Sequence, residues 1–563
     1  MDLTGISAFP DLELLPNFLD RVATEDPTRV WISCPNDVND LSKGFRDYTT
    51  RELANWVNHA SWFLDKHLGK VREGKLPTVA YIGPSDIRYL LVPIALAKCG
   101  YESIPLSDLV SAEVRVFLCE EAGCNILVCA QGFGDNEVAS RETMKRVIFP
   151  ELDELFTPAN APLYPFEKTL EEVLNDPFFI LHTSGSSSPK GFPTMIRYPH
   201  GSCSLNGLLK HIPDYDGLPS LYNVMSKSSR TYTGFRITHA GGFFFAFRQI
   251  YMGVTVVVGG DDQGSMRAIE GVIDYGRIDS AALVPNSLKE ISESPRMLEK
   301  LSKLKWVISS GAMLPKQVGD TICKKVHLIS VYGSTEAIST TYWILPTEDW
   351  EYIYNNPGFD NFQFEESGEN LFEAVYYKHS DPALRLHQGV FWCLPDLDRW
   401  SMKDLFAPHP TRKNAWKYVS RADELVIMEN GYKLLPTPFE EEVLGKDPRI
   451  KSASIYGTAK EHLAVIIELV DPPPPSYFKN KAKEMISGTT VDASDPIVDE
   501  IWPVVQTVND ELTKFSTKTS QVPKHAVIIA NPERPLPRTG KGGVQKGLTE
   551  KLYRGELNWA FRA

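Results

Sequence analysis

Residues 178–191 read FFILHTSGSSSPKG, an apolar, strand-like run followed by a loop of hydroxyl-bearing residues and glycine with one lysine, Lys190. Most Gly/Ser-rich stretches of this kind are flexible turns. The alternative is a loop that surrounds a phosphate chain with backbone N–H and hydroxyl donors, while the lysine supplies positive charge. A P-loop of the G-x-x-x-x-G-K-[ST] type is excluded, because Gly191 follows the lysine. Both interpretations stay open until the rest of the sequence is considered.

The composition is typical of a globular protein with more than one domain. The chain has 563 residues, of which 42% are hydrophobic and 23% are charged. A chain of this length suits about two to four domains. Its formal net charge of -13 argues against a nucleic-acid partner, since non-specific nucleic-acid binding needs a basic surface.

Neither a secretion signal nor a membrane span is predicted. The first residues, MDLTGISAFPDLELLP, lack a basic segment followed by an apolar one. The most apolar stretch, GGFFFAFRQIYMGVTVVVGG, contains Arg248, Gln249 and several glycines and is too polar to span a bilayer. Cys124 and Cys129 have no second close pair with which to complete a zinc site, so we expect core thiols. These features predict a cytoplasmic protein without a membrane partner.

The first 340 residues alternate short apolar runs with helix-length segments. This alternation predicts an α/β fold whose large N-terminal domain has mostly parallel sheets flanked by helices. One predicted helix, SDIRYLLVPIALAKCG, ends at Gly100. The predicted strands, besides FFIL, are TVAYIG from Thr78, NILVCA from Asn125, TVVVGG from Thr255, SAALVP from Ser280, WVISSGA from Trp306 and HLISVYG from His327.

Three polar segments come directly after predicted strands. They are the hydroxyl loop, SSGA at 309–312 and YGSTE at 332–336. In open α/β sheets, ligands bind in the crevice at the carboxyl ends of the strands. The shared position of the three segments therefore predicts a single site.

The sequence changes character near residue 420. We expect a large core domain over residues 1–420 and a small, mobile α+β domain over residues 421–563, which includes the strand-like AVIIELV. Four prolines, Pro472 to Pro475, exclude a helix or a central strand at that point. A surface loop is predicted there.

Five motifs occur in a fixed order: the hydroxyl loop, YGSTE, WSMKDLF, SRADE and PRTGKG. Together they resemble the adenylate-forming (ANL) superfamily, which includes acyl-CoA synthetases, luciferases and the adenylation domains of peptide synthetases. The resemblance covers nearly the whole chain and favours the phosphate-binding interpretation of the hydroxyl loop. It implies that ATP and Mg²⁺ are required.

The resemblance also implies which residues hold the nucleotide. Tyr332 offers an aromatic face for adenine, Thr335 a hydroxyl for the α-phosphate, and Glu336 a hard carboxylate for Mg²⁺. Ser330 stands where many relatives have Asn, and Met402-Lys403 stand where relatives often have Thr-Gly. The expected ATP- and AMP-binding residues are Thr183, Ser184, Gly185, Ser186, Ser187, Lys190, Gly311, Ala312, Tyr332, Gly333, Ser334, Asp404 and Arg421.

Two further residues take their roles from the same resemblance. Lys541 matches the catalytic lysine, whose ammonium stabilises the negative charge that develops when a carboxylate attacks the α-phosphate. Asp423 matches the hinge at which the C-terminal domain turns, so that its other face is presented for thioester formation. Lys433 would lie near that second face, although a solvated lysine explains it equally well.

The stretch RITHAGGF, residues 236–243, lies where the acid pocket of the family begins. Amino-acid-activating relatives usually have an Asp here, whereas this chain has His239 and no acid before Asp261. A buried ammonium without a carboxylate partner is costly, so a benzoic-type or other aromatic acid is expected. The predicted pocket residues are His239, Gly241, Gly242, Phe243 and Gly311, and His239 is also expected to act in catalysis with Thr335 and Lys541.

Residues 421–440 look most similar to fungal peptide-synthetase-like enzymes and carboxylic acid reductases. In those, a carrier domain and a reductase or thioesterase domain follow the adenylation domain. The resemblance implies that the acceptor is the phosphopantetheine of a downstream carrier. The 563 residues contain no carrier-type G-x-D-S-L site, so the acceptor is expected to be either a further domain of a longer enzyme or free coenzyme A. Two alternatives are a stand-alone aryl-CoA ligase and a non-catalytic, adenylate-binding regulatory module. The presence of Lys190, Glu336 and Lys541 disfavours the second.

Overall fold

The structure is a computed structural model. It describes residues 12–562 with the exception of 72–73, 75, 108–109, 135–137, 139–142, 158, 184–191, 261, 339, 369, 423–424, 430–432, 488–494, 513–520 and 539–542.

The strands of the described part of the chain are, in chain order, β1 Val30–Pro35, β2 Phe45–Thr49, β3 Thr78–Ile82, β4 Glu102–Pro105, β5 Ile126–Cys129, β6 Lys145–Ile148, β7 Pro177–His182, β8 Met195–Pro199, β9 Arg230–Thr233, β10 Thr255–Val258, β11 Ser280–Leu283, β12 Trp306–Ser310, β13 His327–Val331, β14 Tyr352–Tyr354, β15 Phe362–Gly368, β16 Leu371–Tyr377, β17 Arg399–Pro408, β18 Ala415–Arg421, β19 Val426–Ile427, β20 Lys433–Leu434, β21 Ile450–Tyr456, β22 Ala464–Leu469 and β23 Val527–Ile529.

The α-helices of the same residues are α1 Leu15–Glu25, α2 Thr50–Leu68, α3 Arg88–Lys98, α4 Ala112–Glu121, α5 Leu170–Val173, α6 His200–Ser204, α7 Asn206–Leu209, α8 Leu221–Ser226, α9 Ala240–Met252, α10 Met266–Tyr275, α11 Pro285–Ser292, α12 Pro295–Leu301, α13 Lys316–Ile322, α14 Pro357–Asp360, α15 Pro382–Arg385, α16 Val390–Cys393, α17 Pro436–Lys446, α18 Pro475–Ser487, α19 Pro496–Leu512, α20 Lys546–Leu552 and α21 Arg554–Ala560.

Two mostly parallel sheets form the centre of the N-terminal part. Among the described residues, one sheet has the strand order β13-β12-β11-β9-β10-β1-β2 and the other the order β6-β5-β3-β4-β7-β8. Only the edge strands β2 and β8 pair antiparallel with their neighbours in these sheets. The strands are buried because helices cover them; α3, for example, is buried along its whole length. The predicted strands and the predicted α/β fold class are confirmed.

A third sheet is antiparallel, and its strands follow those of the first two sheets in the sequence. In the described residues its order is β14-β18-β17-β16-β15. It brings together segments between Tyr352 and Arg421, which the alternation of strands and helices did not predict as a sheet. This sheet supplies one wall of the candidate site.

The C-terminal residues build a hydrophobic core of their own. This core includes buried side chains from Val426 to Ala560. Strands β21 and β22 pair antiparallel, and β22 and β23 pair parallel. The prediction of a loop at Pro472–Pro475 is wrong at its last residue, since Pro475 begins α18. Proline is tolerated there because the first turn of a helix leaves its backbone N–H groups without helical partners.

Two further expectations concern cysteines and membranes. Cys124 and Cys129 are buried, and the Cys124 thiol lies 3.2 Å from the carbonyl oxygen of Ile126, as expected for core thiols. Within the residues that the structure describes, no helix is both long enough and apolar enough to cross a bilayer.

Candidate active site

The carboxyl ends of β12 and β13 lie side by side. In their parallel register Ser309 pairs with Ser330 and Ser310 with Val331, so SSGA and YGSTE leave the same edge of the sheet. Gly311 has φ +98°, a left-handed conformation that favours glycine. Gly311 and Ala312 are exposed at this edge. The two motifs therefore lie next to each other, as their position after strands predicted.

Tyr332, at the end of the seven-stranded sheet, meets Asp404 and Arg421 of the five-stranded sheet. The hydroxyl of Tyr332 donates a hydrogen bond to Oδ2 of Asp404. Asp404 faces Arg421 across the β17–β18 pair, and Nη1 of Arg421 lies 3.6 Å from Oδ1 of Asp404. The Asp404 side chain is nearly buried. Three residues predicted from three separate motifs thus form one contact group.

An aromatic wall surrounds Tyr332. Its ring lies near-parallel to those of Phe362 and Tyr418, with centroids at 6.4 and 6.1 Å. The edge of Phe406 meets it at 5.1 Å. Burial, together with the adjacent Asp404 carboxylate, raises the pKa of Tyr332 well above its ordinary value of 10, so the phenol stays a donor. The sequence analysis missed the roles of Phe362 and Tyr418, which belong to no motif, and that of Phe406, which is the last residue of WSMKDLF.

Hydrogen bonds hold the backbone of YGSTE from both sides. The hydroxyl of Tyr198, on β8 of the six-stranded sheet, donates to the carbonyl of Thr335 at 2.6 Å. The hydroxyl of Tyr342 donates to the carbonyl of Tyr332 at 2.7 Å. Oγ of Ser334 accepts a hydrogen bond from the N–H of Ala337 at 3.2 Å. The segment is therefore fixed before any ligand binds.

The side chains of Thr335 and Glu336 and the backbone of Gly333 remain partly or fully accessible. Among the described residues, Glu336 forms no ion pair with a lysine or an arginine. Mg²⁺ is commonly bound by one or two carboxylates together with substrate phosphates. A single accessible carboxylate at the edge of the sheet fits such an ion.

His239 directly precedes helix α9 and caps it. Its Nδ1 accepts a hydrogen bond from the N–H of Gly241 at 3.2 Å, which fixes the ring at the helix start. A Cβ on Gly242 would lie 2.3 Å from the carbonyl oxygen of Arg236, so only glycine allows the chain to turn this closely. His239 is partly exposed and Gly241 is exposed.

Phe243, which was predicted to line the acid pocket, has no exposed surface. Its ring contacts Phe179 and Phe247, with centroids at 4.7 and 4.5 Å. In this structure it packs in the main hydrophobic core beneath the edge that carries His239. A substrate ring would reach it only after neighbouring side chains moved.

The start of the hydroxyl loop is visible at Thr183. The N–H of Thr183 donates to the carbonyl of Thr194 at 2.9 Å, and Oγ1 of Thr183 accepts from the N–H of Thr194 at 3.0 Å. This pairing joins the two ends of the loop. Ser184, Gly185, Ser186, Ser187 and Lys190, together with Asp423 and Lys541, lie outside the described residues.

Comparison with protein families decides the assignment. Residues 19–357 match the profile of the AMP-binding enzymes, and residues 423–563 match the C-terminal domain of AMP-binding enzymes. The chain belongs to the AMP-binding enzyme family. The predicted adenylate-forming superfamily is thereby confirmed, and this AMP-binding enzyme is of the adenylate-forming, ATP-using kind.

Relatives of this AMP-binding enzyme are found among fungal proteins. It is 30% identical to a carboxylic acid reductase of Neurospora crassa over 97% of the chain and 50% of that protein. It is 25% identical to an adenylate-forming reductase of Serpula lacrymans over 85% of the chain and 43% of that protein. The chain thus spans about half or less of the length of these relatives.

Solved structures share the fold of this AMP-binding enzyme. The O-succinylbenzoate coenzyme A synthetase of Bacillus subtilis, in complex with AMP, superimposes with a TM-score of 0.67 at 15% identity. The match covers 94% of this chain and 97% of that one. At this identity the likeness concerns the fold alone, and it agrees with a large α/β part followed by a smaller C-terminal part.

Proposed function

We propose that this enzyme activates an aromatic, benzoic-type carboxylic acid as its acyl-adenylate, with release of pyrophosphate, and then transfers the acyl group to a phosphopantetheine thiol. The observation that carries the first half of the proposal is the convergence of Tyr332, Asp404 and Arg421 beside the accessible Thr335 and Glu336. The group combines an aromatic face, a buried carboxylate and a cation at the carboxyl edge of a parallel sheet. These are the chemical features that a nucleotide requires.

In this proposal, adenine lies against the aromatic wall at Tyr332 and the ribose hydroxyls bind Asp404. Arg421 contributes positive charge toward the ribose or the phosphate. Thr183 and Ser184 to Lys190 would surround the β- and γ-phosphates. Backbone groups of Gly311, Ala312, Gly333 and Ser334 complete the nucleotide site.

Formation of the acyl-adenylate builds up negative charge on the α-phosphate, and the proposed residues would stabilise that charge. An oxygen of the substrate carboxylate bonds to the α-phosphorus, and the bond from that phosphorus to the pyrophosphate oxygen breaks. The hydroxyl of Thr335 and the ammonium of Lys541 stabilise the negative charge that develops on the α-phosphate. Mg²⁺, which the Glu336 carboxylate would hold, would neutralise phosphate charge when bound. In the second half-reaction a thiolate sulfur bonds to the acyl carbon and AMP leaves.

The acid class rests on the segment around α9. From Ile237 to Gly260 the chain has neither Asp nor Glu, so this segment offers no partner for the ammonium of an α-amino acid. His239, held at the helix start, would face the substrate carboxylate. Gly241 and Gly311, which are exposed, would leave room for a flat ring, and Gly242 would allow the turn that brings them there. Phe243 is buried in the core and would join the pocket only after neighbouring side chains moved.

The first test is ATP–pyrophosphate exchange with matched acids. We expect exchange with benzoic or cinnamic acids and Mg²⁺, and none above background with phenylalanine, whose α-ammonium would find no carboxylate partner in the segment around α9. Exchange with α-amino acids alone would contradict the pocket assignment. Binding of ATP without exchange for any acid would favour the non-catalytic regulatory module.

The acceptor is proposed to be a carrier domain of the same polypeptide, with reductive release of an aldehyde. This is supported by the reductases among the relatives and by the acidic charge of the chain, since free coenzyme A needs basic side chains for its 3′-phosphate. The competing candidate is a stand-alone aryl-CoA ligase. The two candidates share the adenylation step and differ in the molecule that carries the accepting thiol.

The division into a core domain over residues 1–420 and a mobile domain over residues 421–563 is part of the same proposal.

Acyl transfer to the two acceptors can be compared directly. The adenylated enzyme is offered free coenzyme A and, separately, a pantetheinylated carrier domain from the full-length protein. We expect saturable transfer to the carrier and only slow transfer to coenzyme A. Faster, saturable transfer to coenzyme A would contradict the carrier assignment.

A further inference from the structure

Asp360 is a buried carboxylic acid behind the aromatic wall. It is the last residue of α14 and its side chain is 2% exposed. Oδ1 accepts a hydrogen bond from the N–H of Phe362 at 3.1 Å, and Nε2 of Gln388 donates to its main-chain carbonyl at 2.6 Å. Oδ2 has no hydrogen-bond partner among the described protein atoms.

No cation of the described residues compensates this carboxyl. The groups that face it are phenols: those of Tyr342 and Tyr376, whose pKa values its charge raises, and that of Tyr222 next to them. The imidazole of His387 packs on the neighbouring Phe359 at 4.9 Å, and burial lowers its pKa to about 4, so it is neutral. An ionised Asp360 would therefore be a buried charge without a partner, which is costly.

A protonated Asp360 resolves this conflict. Burial raises the pKa of Asp360 from 3.8 to about 8, and a neutral carboxyl can donate a hydrogen bond from Oδ2. An acceptor oxygen that lacks a partner among the described atoms is present on Asn355. Asn355 is held next to Phe362, because its Nδ2 donates to the carbonyl of Phe362 at 2.8 Å.

Phe362 connects this acid to the nucleotide site. Its ring stacks on Tyr376 at 4.5 Å on one side and lies near-parallel to Tyr332 at an interplanar angle of 17°. Tyr342, which senses the charge of Asp360, donates to the carbonyl of Tyr332. Asp360 is therefore linked to Tyr332 in two ways, through its hydrogen bond with Phe362 and through its electrostatic interaction with Tyr342.

We propose that Asp360 is a positioning residue for the nucleotide site: it carries a proton in the folded enzyme, and the neutral carboxyl holds Phe362 against Tyr332. The inference rests on the proposed adenine-binding role of Tyr332. Ionisation of Asp360 would loosen the aromatic wall and weaken nucleotide binding without a change in any group that contacts the nucleotide.

The test is the affinity for AMP, measured by calorimetric titration between pH 7 and pH 9. At one unit above a pKa of about 8, about one-tenth of the protein keeps the proton, so the apparent Kd of the wild type should rise about tenfold by pH 9. Asp360→Asn keeps the shape and a donor but cannot ionise, so its Kd should stay nearly constant. Asp381→Asn, at an exposed aspartate that caps α15, is the matched control and should follow the wild type.

Stability gives a readout that does not depend on the nucleotide. Because the folded state holds a proton that the unfolded state releases near pH 4, the stability of the wild type should fall relative to Asp360→Asn as pH rises from about 4 to about 8. Above that range the difference should level off. A difference that does not change with pH would overturn the proton assignment.

The remaining outcomes separate this inference from the proposed function. Equal pH dependence of AMP affinity in the wild type and Asp360→Asn would overturn the positioning role. The expected profiles, together with failure of every acid in pyrophosphate exchange, would sink the proposed reaction and leave the inference standing. A wild type that does not bind AMP would overturn both.

Discussion

Lys541→Ala should lower the rate of adenylation by about two to three orders of magnitude, which is the scale for losing one group aimed at developing charge. The ammonium is expected to act on the α-phosphate only while the carboxylate attacks, so binding of ATP should change little. The measurement is ATP–pyrophosphate exchange with saturating acid. Transfer from a preformed acyl-adenylate to the thiol should remain close to the wild-type rate, because that step proceeds with the other face of the small domain.

Lys479→Ala provides the control for this variant. Lys479 is an exposed lysine on α18 of the same C-terminal part, so its removal tests the loss of one surface charge. It should leave both half-reactions unchanged. Near-normal adenylation by Lys541→Ala, or an equal loss in both variants, would exclude the catalytic role.

Asp423→Pro is expected to have the opposite effect on the two half-reactions. The last strand of the five-stranded sheet ends at Arg421, and the first side chain of the C-terminal core is that of Val426. A rotation of one part against the other must be absorbed by the few residues between them, and proline fixes φ near −65°. Adenylation should survive while acyl transfer collapses, as measured by single-turnover assays of each step.

Asp423→Ala separates the backbone effect from the loss of the carboxylate. Alanine removes the charge and leaves φ free, so acyl transfer should be retained. If proline and alanine impair transfer equally, the side chain and not the rotation matters. If Asp423→Pro loses both half-reactions together, the hinge lies elsewhere or the variant is misfolded.

The sequence predicted those parts of the site that directly follow a strand. SSGA and YGSTE come directly after apolar runs, and parallel strands place such segments at one edge of the sheet. The sequence therefore predicted that the segments around Gly311 and Tyr332 lie next to each other. Asp404 and Arg421 were predicted from motifs. Their register across β17 and β18 could not be, because the pairing of antiparallel strands depends on tertiary contacts.

The aromatic wall and Asp360 illustrate what a sequence pattern does not contain. Phe362, Phe406 and Tyr418 come from three different strands, and aromatic residues in strands more often pack in a core than line a site. Asp360 resembles any polar residue at a helix end. Only its complete burial distinguishes it, and burial of a carboxyl runs against the usual expectation for aspartate.

The elements that supply the site have an evolutionary consequence. The proposed acid-facing residues come from the segment after β9 and from the first turn of α9, whereas Tyr332, Asp404 and Arg421 come from the end of β13 and from β17 and β18. If the proposed pocket is correct, substitutions in the first turn of α9 would change which acid is selected while the nucleotide contacts stay intact. Enzymes with this fold could then evolve to accept different acids through substitutions at the start of one helix. Gly311 is the residue that belongs to both the proposed acid-binding set and the proposed nucleotide-binding set.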